Sequence, residues 1–140
     1  MASPAECGTF DGSCLCGAVR FSGTGLRGIV FCHCSQCRRA HGTCAAYSAT
    51  AKATFTIAQA DKVTWFEASP RARRGFCGTC GSSLFWVPSA HDYVCVAAGS
   101  IDHGPEVEPL CHVYVADCAA YETLGKHLPA YPGSMHANQI

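Results

Sequence analysis

Short runs in which hydrophobic and polar residues alternate are separated by breaks containing glycine or proline along the 140-residue chain. A period of two is typical of strands with one buried face, and in residues 53–57 it places Phe55 and Ile57 on the same side. Strands are predicted at residues 18–21, 29–31, 44–49, 53–57, 63–66, 83–87, 93–97 and 111–115, with a turn at 23–25 and a loop at 99–105. Helix is expected only at residues 35–40, with Ser35 as N-cap and Gly42 as its end, and in one turn at 116–121. The pattern favours a mainly β fold of two packed sheets with little helix.

Composition narrows the class of protein. A chain of this length with 49% hydrophobic residues can bury one core, so we expect one domain at residues 12–132, a flexible leader at 1–11 and an irregular tail at 133–140. The formal net charge of +0 argues against a nucleic-acid surface or an anchor to anionic membranes. The sequence shows neither a transmembrane run nor a signal-peptide pattern, and we therefore expect a cytoplasmic protein.

Twelve cysteines are the most unusual feature of the composition. In a chain without a secretory signal, they favour metal binding over disulfides. The densest cluster contains Cys32, Cys34 and Cys37. Cys32 and Cys34 point the same way on an extended segment, and a turn after Cys34 brings Cys37 back to the same point. Three thiolates form a soft donor set that suits zinc, and three protein ligands leave a fourth position open, so the cluster indicates a reactive metal site.

Two more cysteine pairs have metal-ligand spacing, namely Cys14 with Cys16 and Cys77 with Cys80. Joined, these pairs form a closed four-thiolate site of the structural zinc type, and the seven motif cysteines divide into four and three. A rival arrangement joins Cys34 and Cys37 with the second pair, as in a zinc ribbon, and leaves the remaining motif cysteines without a site. We rank it second because it uses fewer of the ligands.

Several polar side chains surround the central cluster. Gln36 and Arg38 are expected to face the open metal position and to bind the polar backbone or carboxylate of a thiol. In the alternative, Arg38 acts with Arg39 only to offset the thiolate charge. His33 alternates with its neighbouring cysteines, so its side chain is expected to point away from their metal. The two arginines at positions 73–74 are expected on a solvated strand face.

Three motifs, at residues 12–17, 32–39 and 75–81, resemble the glutathione-dependent formaldehyde-activating family, which includes the centromere protein V relatives. Segments 82–86 and 112–115 resemble the family's later strands, so the similarity spans about residues 12–132. The resemblance implies a β-tent fold and the joining of glutathione and formaldehyde into S-hydroxymethylglutathione. It also implies a structural zinc on Cys14, Cys16, Cys77 and Cys80 and a second zinc on Cys32, Cys34 and Cys37.

Two functions fit these observations. The first is a zinc-dependent carbon–sulfur lyase or synthase, which binds a thiol such as glutathione at the open zinc position and adds it to, or releases it from, a small carbonyl such as formaldehyde. The second is a non-catalytic, zinc-stabilised binding or scaffold module, with the second site completed by His33, His41, Cys44 or a partner chain. Both carry two zinc ions per chain. A homodimer is compatible with exposed sheet edges, and no nucleic-acid or membrane partner is expected.

Overall fold

The protein is described by a computed structural model that covers residues 8–125 and 127–135. Within these residues the chain forms eleven strands and one α-helix, which confirms the mainly β prediction. The strands are β1 (Thr9–Ser13), β2 (Arg20–Thr24), β3 (Ile29–Cys32), β4 (Ala45–Ala51), β5 (Thr56–Ile57), β6 (Val63–Ser69), β7 (Ala72–Cys77), β8 (Ser83–Pro88), β9 (Tyr93–Ala97), β10 (Ile101–His103) and β11 (Pro109–Val113). The helix α1 (Ser35–His41) lies between β3 and β4. Among the described residues, no helix has the length and apolar character needed to cross a bilayer.

The strands form two sheets. The smaller sheet has the antiparallel order β10-β1-β2-β5, and the larger has the order β11-β3-β4-β9-β8-β7-β6. In the larger sheet, β11 runs parallel to β3, and all other neighbours are antiparallel. The cysteine motifs fall where strands end. One lies between β1 and β2, one between β3 and α1, and one between β7 and β8.

Aromatic side chains join the two sheets. Phe21 of β2 meets Phe85 of β8 edge to face, with ring centroids 5.3 Å apart. Phe55, which precedes β5, lies 5.9 Å from the first ring and 5.5 Å from the second. Such pairs contribute about 0.5–1.5 kcal/mol each beyond the area they bury. Phe55 and Ile57 both pack against this core, as the alternation in residues 53–57 predicts.

Some boundaries predicted from the pattern are wrong. β1 begins at Thr9, inside the stretch assigned to the leader, because Phe10 is buried in the core and β1 pairs with both β2 and β10. β10 lies in the predicted loop at 99–105. It forms by pairing with β1, and two of its three residues are exposed, so its sequence does not show the alternation typical of a strand. β2 continues through the predicted turn to Thr24. Residues 52–54 form a 3₁₀ turn, and only Thr56–Ile57 of the predicted strand at 53–57 pairs with β2.

The structure describes only part of the predicted leader and tail. Residues 133–135, expected in the irregular tail, have no regular secondary structure, but Met135 is buried with its sulfur 3.2 Å from Cys111 Sγ. The remaining residues assigned to the leader and the tail, 1–7 and 136–140, lie outside the described part of the chain. The chain packs onto the domain as far as Met135.

Candidate metal and active site

Four cysteines from two distant turns meet beside the core. The sulfurs of Cys14, Cys16, Cys77 and Cys80 all lie within 4.8 Å of one another. The Sγ atoms of Cys14 and Cys16 are 3.6 Å apart, and those of Cys16 and Cys77 are 3.8 Å apart. Sulfurs bound about 2.3 Å from a tetrahedral zinc lie roughly 3.8 Å from each other. The four-cysteine group can therefore hold zinc, and it joins the two pairs that the sequence argument joined rather than forming the rival zinc ribbon.

Hydrogen-bond donors surround these sulfurs. The Val19 amide donates to Cys14 Sγ at 3.3 Å, and the Cys80 amide donates to Cys77 Sγ at 3.4 Å. The hydroxyl of Ser82 lies 3.1 Å from Cys80 Sγ and is the main reason why the pKa of Cys80 falls to about 5. Donors aimed at sulfur favour the thiolate, which is the form that binds a metal.

The three central cysteines form a second group. Cys32 ends β3, Cys34 caps α1 and Cys37 lies in its first turn, and their sulfurs lie within 4.8 Å of one another. The N-cap is Cys34, not Ser35 as predicted, because the extended backbone of Cys34 (φ −61°, ψ 156°) lets its Sγ accept the Cys37 amide at 3.4 Å. No further cysteine, histidine or carboxylate in residues 8–125 and 127–135 joins this group.

Hydrogen bonds among the three sulfurs shift their pKa values in opposite directions. Those from Cys32, and then from Cys37, lower the pKa of Cys34 to about 2. The bond with Cys34, and then the bond with Cys37, raise the pKa of Cys32. A cation that binds the three sulfurs displaces the protons that remain on them. The donor set fits zinc, as it does in the four-cysteine group.

Arg74 reaches the three-cysteine group from β7. The prediction of a solvated strand face is wrong for this residue, because its half-buried guanidinium donates to Cys37 Sγ at 3.5 Å and to the Tyr47 hydroxyl at 3.1 Å. Tyr47 in turn lies 2.8 Å from His41 Nε2. Burial, and then the Arg74 charge, lower the pKa of His41, and burial, followed by Cys37, raises the pKa of Tyr47. Arg73 and Arg74 are adjacent in the sequence, which does not indicate that Arg74 is the one whose side chain points inward.

A cavity of about 490 Å³ opens beside this network. Gln36 and Arg39 of α1 line one side, and Tyr47 and Arg74 of the large sheet line another. Gly75 also lines it, where a Cβ would meet the Trp65 ring. None of the three cysteines is among the lining residues, and Arg74 connects the cavity with them because it also donates to Cys37 Sγ.

The family model for glutathione-dependent formaldehyde-activating enzymes matches residues 9–117 of this sequence. The chain belongs to this family. A search of curated proteins finds no match. Among solved structures, a crystal structure of a Rhodobacter sphaeroides protein is similar, with a TM-score of 0.56 and 24% sequence identity over 70% of this chain and 97% of that chain. At this identity the likeness concerns the fold.

Of the polar residues predicted around the family's central motif, two line the cavity and one does not. Gln36 lines the cavity, as does Arg39. Arg38 is not among the lining residues, because its guanidinium donates to the carbonyl oxygen of Asp117 at 3.0 Å and ties α1 to the 3₁₀ turn that follows β11. Arg74, which the sequence argument set aside, takes the place beside the cysteines.

A third group of metal-ligand atoms lies next to the family motif. A ring nitrogen of His33, Cys44 Sγ and a carboxylate oxygen of Glu122 lie within 4.8 Å of one another. Two of the proposed fourth ligands of the central site, His33 and Cys44, therefore belong to another group, and His41 contacts Tyr47 instead. Glu122 stands in no recognisable motif, so only the fold connects it with the other two.

Proposed function

We propose that this chain binds two zinc ions, one at each cysteine group, and catalyses the formation or cleavage of a carbon–sulfur bond between a small thiol and a small carbonyl compound. Glutathione and formaldehyde are the first pair to test, because the family carries their names. The observation that supports catalysis is the incomplete group of Cys32, Cys34 and Cys37, which Arg74 connects to a cavity large enough for a substrate by donating to Cys37 Sγ and lining that cavity. The complete four-cysteine group has the ligand count of a structural site.

Zinc bound by the three cysteines would supply a position at which a substrate thiol is held as its thiolate at neutral pH. In the proposed reaction the thiol sulfur bonds to the carbonyl carbon, the carbon–oxygen π bond breaks, and the thiol proton finishes on the new hydroxyl. His41 and Tyr47 line the cavity and can carry that proton between sulfur and oxygen. The reverse reaction uses the same groups.

The cavity supports an anionic thiol. Arg39 and Arg74 both line it, and guanidinium groups bind carboxylates through paired hydrogen bonds. Gln36 lines the same cavity and offers an amide to the peptide groups of such a substrate. We therefore expect a lower KM for glutathione than for a neutral thiol such as 2-mercaptoethanol, with a smaller difference in kcat.

Exchange NMR tests the proposal at equilibrium, where glutathione, formaldehyde and their adduct interconvert. The zinc-loaded protein is expected to increase the exchange rate, and Cys34→Ala is expected to remove that increase together with one zinc per chain. Cys95→Ala is the matched control, since Cys95 packs against the same small cluster but belongs to no ligand group. Turnover that survives in Cys34→Ala contradicts the mechanism. A wild-type protein with zinc at both cysteine groups and no effect on exchange would favour the non-catalytic module.

A further inference from the structure

We propose that His33, Cys44 and Glu122 form a third metal site, which binds a divalent transition-metal ion such as zinc through one nitrogen, one sulfur and one oxygen. Their ligand atoms lie within 4.8 Å of one another. Ligands bound about 2.0–2.3 Å from a tetrahedral zinc lie roughly 3.3–3.8 Å apart, so a small closing movement brings the three to binding distance.

His33 provides the strongest indication. Its side chain is only 1% exposed, its Nε2 lies 2.9 Å from His112 Nδ1, and its Nδ1 is buried with no hydrogen-bond partner. A buried ring nitrogen without a partner is costly, and a metal ion satisfies it. When Nε2–H donates to His112, Nδ1 carries the free lone pair that binds a metal. A hydrogen bond on the other ring nitrogen is the usual way in which proteins orient a histidine ligand.

Glu122 and Cys44 supply the other two ligand atoms. The Thr43 hydroxyl donates to Glu122 Oε1 at 3.1 Å, which orients the carboxylate. Cys44 Sγ lies within 4.8 Å of a carboxylate oxygen of Glu122. A thiolate and a carboxylate together balance the two charges of a divalent cation.

The proposed site shares a segment with the three-cysteine group but uses its other side. His33 stands between Cys32 and Cys34, and alternation on an extended segment turns its ring away from their sulfurs. This orientation agrees with the prediction that the His33 side chain points away from the metal of the three cysteines. Three protein ligands leave a position open, so the third site is of the ligand-binding type rather than the closed structural type.

Metal counting by native mass spectrometry tests the proposal on apo-protein titrated with zinc. We expect three zinc ions in the wild type and one fewer in both Cys44→Ala and Glu122→Gln. Cys118→Ala is the matched control, because Cys118 is also a half-buried free cysteine and lies outside all three groups. Long-range nitrogen NMR gives a second readout, in which zinc shifts the His33 Nδ1 signal in the wild type but not in Glu122→Gln.

Three results would overturn the third site. They are an unchanged count in both ligand variants, a loss confined to Cys44→Ala, and an equal loss in the Cys118→Ala control. The test is independent of the proposed activity, because Cys37→Ala reports on the three-cysteine site separately. If the three-cysteine site bound no zinc, the wild type would hold fewer zinc ions per chain. The difference in zinc count between the wild type and Cys44→Ala would remain.

Discussion

Replacing Arg74 by methionine tests whether the arginine supports the three-cysteine group. Methionine keeps most of the length and apolar contact of the arginine stem and removes both donations, to Cys37 Sγ at 3.5 Å and to the Tyr47 hydroxyl at 3.1 Å. The Cys37 sulfur then carries its charge without a neighbouring cation. We expect zinc to bind this group more weakly while the four-cysteine group is unaffected.

The magnitude follows from the geometry. A hydrogen bond to a charged group contributes roughly 1.5–3 kcal/mol, and the half-buried position of Arg74 places this one towards the lower end because water screens part of the charge. Loss of a group that supports a metal ligand usually weakens metal binding about 10- to 100-fold. We therefore expect a decrease of about tenfold, or roughly 1.4 kcal/mol, and a smaller decrease in Arg74→Lys, which keeps the charge but not the planar fork.

Competition with a chromophoric chelator measures the zinc affinities of the two cysteine groups in one titration. Arg73→Met is the matched control, because the neighbouring guanidinium is exposed and lies 4.0 Å above the Trp65 ring. That variant loses a cation–π contact of about 0.5–1 kcal/mol in stability and no donor to sulfur. Equal zinc affinities in Arg74→Met, Arg73→Met and the wild type would refute the role given to Arg74.

Three further outcomes follow from the fold. Cys16→Ser, at an exposed ligand, should lower the melting temperature of the zinc-loaded protein and remove most of the effect of adding a chelator, measured by circular dichroism. Gly12→Ala should reduce the free energy of unfolding in urea by about 1–3 kcal/mol, because a Cβ there collides with the Phe21 ring and a backbone carbonyl. Asp11→Asn should lower the pKa of His103 in an NMR titration, since the hydrogen bond to Asp11 raises it. The raised value stabilises the fold below the unfolded pKa of about 6.5, and that contribution disappears as pH rises through the folded value.

Local patterns predicted the cysteine groups well, because their ligands are marked by spacing within the chain. The C-x-C and C-x-x-C motifs each bring two sulfurs together over one turn, and counting ligands was enough to pair the two distant motifs. Glu122 and Arg74 have no such mark. Each reaches its site from a distant part of the chain. Arg74 does so because β7 pairs in one register, and Glu122 because the segment after β11 contacts α1 and the turn that follows it.

The same limit explains the errors in the strands. β10 exists because β1 offers it an edge, so nothing in its own three residues predicts it. The predicted end of the leader was wrong for a related reason. The local sequence does not show that Phe10 packs into the core. By contrast, β8, which is buried at four of its six positions, carries a long apolar run and was predicted within one residue.

The two cysteine groups differ in how much a bound metal would constrain the chain. Cys16 and Cys77 are 61 positions apart and join the small sheet to the large one, so a cross-link there restricts the unfolded chain by roughly 4 kcal/mol on the loop-entropy estimate. Cys32 and Cys37 are separated by four residues, and the same estimate gives roughly 2 kcal/mol. Less of the metal-binding energy of the three-cysteine group is therefore coupled to folding. That group can exchange a ligand, or lose its metal in Cys34→Ala, while the domain stays folded.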